Sequence, residues 1–258
     1  MIEEALEHEE LSSRELAFHI VDQHKWYISE SSVYRILKRA GLITAPAHIV
    51  LSAADEFEKK TKRINEMWQT DFTYFKIVGW GWYFLSTVLD DYSRFIISWD
   101  LRPKMTSKDV MPSLDKALHF AGLTQNTAPL LLSDNGKCYI SSELKGFLAE
   151  RGIKPINGKP CHPQTQGKIE RYHRTMKNVI RLDNYYSPDD LIHAISKFVE
   201  YYNNKRYHES LNNLTPADVY FGRDHEILEE RLIIKEKTLK ERRKNYIIKK
   251  LELNYERI

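Results

Sequence analysis

Three consecutive runs rich in β-branched and aromatic residues, Trp68–Val78, Tyr83–Leu89 and Arg94–Leu101, precede an alternation of helical and strand patterns. That order limits the folds open to this chain more than any other feature. The first two runs join through Gly79-Trp80-Gly81-Trp82, which reads as a hairpin. Thr106 or Ser107 then caps a helix through Ala121, with Val110, Leu114, Ala117 and Leu118 on one side. Pro129–Ser133 is a short apolar run that stops at Asp134-Asn135-Gly136, as a buried strand ending in a turn does. A helix over Ser141–Glu150, a short strand over Ile153–Ile156 and a long helix from Thr165 to about Leu182 complete the series.

Antiparallel strands giving way to alternating helix and strand predict an α/β fold of the ribonuclease-H type. The expectation is a mixed five-stranded sheet flanked by helices, preceded by a small helix-turn-helix domain. Residues 11–42 supply that domain as two helices. Ser12 and Glu15 form a capping-box pattern, with Leu16, Ile20 and Val21 at helical spacing. A second start at Ser31 or Ser32 leads into Val33, Ile36, Leu37 and Ala40, ending at Gly41. Arg35, Lys38 and Arg39 fall off the apolar stripe, as in a helix presented to a DNA groove; an ordinary helical hairpin looks the same. A usual unit of this type has three helices, so upstream helices are either missing from this chain or supplied by another polypeptide. The expected domains are 1–45 (helix-turn-helix), 46–65 (linker), 66–225 (the ribonuclease-H-like core) and 226–258 (a charged helical extension).

Charge distribution says more than its total. From Arg151 to Leu182 eight cations face one acid, Glu170, so this window alone carries +7 against +3 for the whole chain. Such a stretch suits a polyanion. Cys138 and Cys161 offer neither a disulfide framework nor zinc-ligand spacing and read as reduced thiols of a cytoplasmic protein. The acidic start lacks the pattern of a signal peptide, and no apolar run is long enough to span a membrane.

Three acids stand out: Asp71 within an aromatic strand, Asp134 at the end of a buried one, and Glu170 near the start of a helix. Sixty-two residues separate the first two, and 35 the last two. Asp134 before Asn-Gly also reads as an ordinary turn residue. At about 100° per residue, Arg174, Lys177 and Arg181 fall within about 40° of Glu170 on one helix face, with Ile169, Met176, Val179 and Ile180 directed inward. One acid cannot neutralise that row, and phosphates are the simplest outside partner. Asp90 and Asp91 read as a structural turn; His162 and His173 fit a contact to DNA or to metal-bound water, or a satisfied structural role. Tyr201, Tyr202 and Tyr207 read as packing residues.

The motifs resemble those of bacterial insertion-sequence DDE transposases with a retroviral-integrase-type core. Trp68-Gln69-Thr70-Asp71 is similar to the first-strand motif, Asp134-Asn135-Gly136 to the second-acid motif, and His162-Pro163-Gln164-Thr165-Gln166-Gly167-Lys168-Ile169-Glu170 to the loop and helix carrying the last Glu. Asp91-Tyr92-Ser93-Arg94, Tyr201 to His208 and Leu214–Asp218 look like features of the insertion-sequence branch. The resemblance implies that Asp71, Asp134 and Glu170 are catalytic and hold two Mg2+ ions, with Mn2+ as a substitute. It implies DNA contacts from Lys177 and Arg174, and extends them to Arg181, Lys168, Arg171 and Gln166, with Arg35, Lys38 and Arg39 in the N-terminal domain. The implied activity is metal-dependent cleavage and strand transfer at transposon ends into target DNA by a homo-oligomer, in a bacterial cytoplasm and associated with the nucleoid when on DNA. A catalytically inactive DNA-binding regulator and a general ribonuclease-H-like nuclease are the alternatives.

Overall fold

The computed structural model describes residues 1–43, 61–134, 136–157 and 167–255. They form two compact units, one of residues 1–51, 207–214 and 221–258, the other of 52–206 and 215–220.

In the second unit five strands form one sheet: β1 (Met67–Ile77), β2 (Gly81–Asp90), β3 (Ile96–Arg102), β4 (Leu130–Ser133) and β5 (Lys154–Asn157). The spatial order is β3-β2-β1-β4-β5, antiparallel from β3 to β1 and parallel from β1 to β5. This is the mixed sheet expected from the strand-then-alternation pattern, with Gly79 and Gly81 at φ +78° and +93° closing the hairpin.

Strand alternation divides the core into two layers. On one face Trp68, Val88 and Leu131 pack with α4 (Ser107–Ala121) and α5 (Ser142–Glu150), through Val110, Leu114, Ala117, Leu144 and Leu148. Ala217 and Tyr220 of the short α8 (Pro216–Tyr220) join them. On the other face Phe75, Ile77, Leu85 and Leu89 pack with Ile169, Tyr172, Met176 and Ile180 of α6 (Gly167–Ile180) and with α7 (Pro188–Asn204). Val179, read from its angle as inward, is half exposed at 50%, because the buried stripe of α6 is narrower than that reading allows.

The first unit contains α1 (Ile2–Glu7), α2 (Ser13–His24), α3 (Glu30–Arg39) and α9 (Asp224–Tyr255). Ser12 and Glu15 make the capping box. The cap of α3 is Ser29, whose side chain accepts from Ser32 N, rather than Ser31 or Ser32. Leu16, Ala17, Ile20, Val33 and Leu37 form the core, with Met1 and Ala5 packed against it. A third helix therefore comes from this chain, in α1, and no described residue supports the upstream polypeptide. Among the described residues no helix is long and apolar enough to cross a membrane.

The last helix is more than a charged extension. Arg231, 8% exposed, sends two guanidinium bonds of 2.8 and 2.6 Å to Asp22 of α2 and others to the carbonyls of Asn212 and Asn213. Its guanidinium also lies over the rings of Phe18 and Tyr207. Bidentate geometry makes such a pair strong, and burial makes it costly to break. Asp22→Ala should leave Arg231 uncompensated and cost about 3 kcal/mol. In urea unfolding followed by hydrogen exchange, α2 and α9 should lose protection together.

Candidate active site

The site is assembled from the face of β1 that packs on α6. Alternation from Phe75 and Ile77 puts Asp71 and Gln69 on that same face. The Gln69 side chain bridges two elements: its Oε1 accepts from Ile169 N of α6 at 3.1 Å, and its Nε2 donates to Asp91 Oδ1 at 2.7 Å. Asp91, 2% exposed, also accepts from Lys168 Nζ at 2.6 Å and from Thr61 Oγ1 at 2.6 Å. Two consecutive residues at the start of α6 are thus tied to β1 and to the end of β2. Glu170 follows directly and lines one pocket with Asp71.

Asp134 comes immediately after β4. That strand pairs in parallel with β1, Met67 with Leu130, Trp68 with Leu131 and Gln69 with Leu132, so two more residues along each strand set Asp134 against Asp71. Nearby groups carry the imprint of both carboxylates. Burial raises the pKa of the Cys138 thiol, with Asp134 adding to the effect. Burial likewise pushes the Tyr139 hydroxyl up, and Asp71 is its next cause.

Asp71 and Glu170 line one pocket of about 380 Å³ with Phe72, Thr73, His173, Arg174, Lys177, Asn178 and Arg181. The oxygens of Asp71, Asp134 and Glu170 do not all lie within 4.8 Å of one another. Like charges repel at such spacing, and two of the acids have local partners. Asp71 Oδ1 accepts from Phe72 N at 2.8 Å while Oδ2 faces His173 Nδ1 at 3.3 Å. Asp134 Oδ1 accepts from Gly136 N at 2.8 Å. A Cβ on Gly136 would come within 2.8 Å of that oxygen, so glycine keeps the carboxylate's space open. Three carboxylates, one from within β1, one from just past the end of the adjacent β4 and one from α6, are a donor set suited to hard dications such as Mg2+.

The cations divide according to helix angle. Arg174, Lys177 and Arg181 face the pocket, with Lys177 Nζ 4.9 Å from the centroid of the Tyr74 ring. Burial lowers the pKa of Lys177, Arg181 adds to the effect, and Asp71 opposes it. Lys168 does not line the pocket; it is engaged by Asp91. Arg171 is exposed and also stands outside it. Gln166, His162 and the rest of that motif loop, like Asn135 and Cys161, lie outside the described residues. Arg35, Lys38 and Arg39 are exposed on α3 of the other unit, as their angle predicts.

Sequence reasoning leaves two contributors, Asp91 and Gln69, without a site role, and His173 with a site role as one of its open readings. His173 is 5% exposed and touches Asp71, and its spacing of three from Glu170 was the available signal. Asp91 was read as a turn residue, a part that falls instead to Asp90, which accepts from Ser93 N and Oγ and from Asn65 N. Gln69 was noticed only as part of a motif.

Two models described as integrase core domain match the chain, over residues 61–163 and 151–216. The putative transposase of insertion sequence element IS150 from Escherichia coli (strain K12) is 32% identical over 160 residues, 62% of this chain and 56% of that protein. The chain thus spans little more than half the length of that relative. A chain of the simian T-cell lymphotropic virus intasome in complex with PP2A regulatory subunit B56 gamma aligns with TM-score 0.55 at 22% identity, over 84% of this chain and 74% of its own. The HTLV-2 integrase catalytic core domain in complex with magnesium aligns with TM-score 0.50 at 24% identity, over 61% and 97%. These two likenesses establish the ribonuclease-H-like fold.

Gln69→Ala would strip partners from Ile169 N–H and Asp91 Oδ1. At about 1–3 kcal/mol for each buried group left unsatisfied, stability should fall by about 2–6 kcal/mol. Amide exchange at Ile169 should accelerate ahead of exchange in β2, and unchanged exchange there would show that something else holds α6.

Proposed function

From the premise that this chain belongs to the integrase core domain family, we propose that it is a DDE-type DNA transposase that cleaves insertion-sequence ends and joins them to target DNA by in-line phosphodiester displacement. The observation that carries this reading is the pocket in which Asp71 and Glu170 meet Arg174, Lys177 and Arg181. Carboxylates and cations in one concavity suit a substrate that is an anion at its reacting centre.

Asp71, Asp134 and Glu170 would hold two magnesium ions, with manganese as a substitute. What the ions supply is charge neutralisation at the phosphate and a more acidic attacking hydroxyl, from water in cleavage and from a DNA 3′ end in joining. The rest falls to side chains. Lys177, Arg174 and Arg181 grip the DNA backbone beside the reacting bond, fixing the attack line. His173 positions the Asp71 carboxylate from behind. Gln69, Asp91 and Lys168 set where α6 begins and so where Glu170 stands. Terminal DNA would be recognised in part by α3, through Arg35, Lys38 and Arg39. Two ends must be joined, so a homo-oligomer acts, in the bacterial cytoplasm and on nucleoid DNA.

Asp71→Asn and Asp134→Asn keep the shape and remove an anionic ligand. Strand transfer with magnesium should collapse in each while DNA binding survives; near-normal joining by either would sink the assignment. Gly136→Ala, which crowds Asp134, should cut joining with little change in fold. Lys177→Ala should lower the slope of log affinity against log salt by about one, and an unchanged slope with unchanged joining would return α6 to an ordinary charged face. The inactive-regulator reading predicts DNA binding without metal-dependent joining, and the nuclease reading predicts equal cleavage of matched and scrambled ends.

A further inference from the structure

We propose that Glu4, His8 and His19 form a binding site for a borderline transition-metal dication, zinc above all, within the unit built from the N-terminal helices. One donor atom from each of the three lies within 4.8 Å of the other two, the single such group of three among the described residues. His19 Nε2 is 3.3 Å from Glu4 Oε2. Zinc bonds nitrogen and carboxylate oxygen at about 2.0–2.2 Å, so neighbouring ligands of a tetrahedral ion stand about 3.3 Å apart. The rings of His8 and His19 have centroids 4.4 Å apart, tilted by 60°, so the two imidazoles stand beside the same carboxylate.

A fourth residue orients the set. His24 Nε2 lies 2.7 Å from Glu4 Oε1, the oxygen that does not face His19. An imidazole bonded to the outer oxygen of a ligating carboxylate is the kind of support that fixes a ligand's direction. Glu10 Oε1, 3.6 Å from His8 Nδ1, gives the third ligand a similar neighbour. The three side chains are partly exposed, at 20% for Glu4, 35% for His8 and 18% for His19, so an ion reaches them from solvent. Two imidazoles with one carboxylate favour zinc over magnesium, which prefers an all-oxygen shell. The fourth coordination position falls to water.

The site also answers a local need. Helix α1 has six residues, no side-chain cap and no buried residue. Helices that short are marginal alone, and its apolar hold is limited to Met1 and Ala5. An ion held by Glu4 on α1, His8 at its end and His19 on α2 would staple the first helix to the second.

The test is a titration of the metal-stripped full chain with Co2+ and then Zn2+, in millimolar magnesium so that carboxylate-only sites are filled. One equivalent of Co2+ should give visible d–d absorption typical of nitrogen and oxygen ligands, be displaced by Zn2+, and raise the melting temperature. His8→Gln and Glu4→Gln, both at partly exposed positions, should each weaken zinc at least tenfold while circular dichroism stays unchanged. Asp71→Asn should bind zinc as wild type does. Equal zinc affinity in wild type and the two folded variants would overturn the site and leave Glu4 as an ion-pair partner of histidines. Loss of the equivalent in Asp71→Asn would overturn it too, since the ion would then sit at the other carboxylates.

Discussion

One buried amide sets the geometry of the sheet-bearing unit. Gln69 shares a strand face with Asp71, and its carbonyl and amino ends face in different directions, toward α6 and toward Asp91. A strand and a helix a hundred residues apart in sequence are therefore fixed by one side chain acting as both acceptor and donor. Hydrophobic contacts between Phe75 or Ile77 and Met176 or Ile180 hold α6 against the sheet, yet they tolerate sliding. The amide does not, because an unpaired buried N–H is expensive. A helix displaced by one turn would take Glu170 about 5.4 Å along its axis, out of reach of Asp71.

Lys168 and Lys177 illustrate how position on one helix separates structure from function. Both are cations on α6 and both contribute to the same basic window. Lys168, at the first turn, meets a nearly buried Asp91 and is neutralised inside the protein. Lys177 meets an aromatic ring and a pocket whose other cations repel it, and burial lowers its pKa. A cation with an internal carboxylate partner stiffens the fold, whereas one left among other cations is available for an external anion.

Much of this was readable from residues alone, and the exceptions have physical causes. The mixed sheet follows from runs and turns: the first three runs are long and rich in β-branched and aromatic residues, and the two short ones are marked by the turns and helices that bound them. The acids were visible because Asp71 interrupts an aromatic strand and Asp134 ends an apolar one. Asp91 was misjudged because a turn aspartate and a buried network aspartate look identical until the long-range partners, Gln69 and Lys168, are known. The role of Arg231 escaped for the same reason: its helix is charged throughout, and only the fold reveals which cation is inside. The cluster of Glu4, His8 and His19 went unnoticed because metal spacing was sought among cysteines.

The pairing of Asp22 with Arg231 joins residues 209 apart in sequence. During synthesis, α2 emerges long before the helix that completes its unit, whereas the sheet-bearing unit ends at Tyr220. Closing so long a loop is slow relative to local pairing, so the sheet-bearing unit should mature first while Asp22 waits for its guanidinium partner. Ribosome-bound chains halted before Arg231 would carry a formed sheet and an unfinished helical unit. The order of birth thus delays completion of the N-terminal unit until the helix that carries Arg231 has been made.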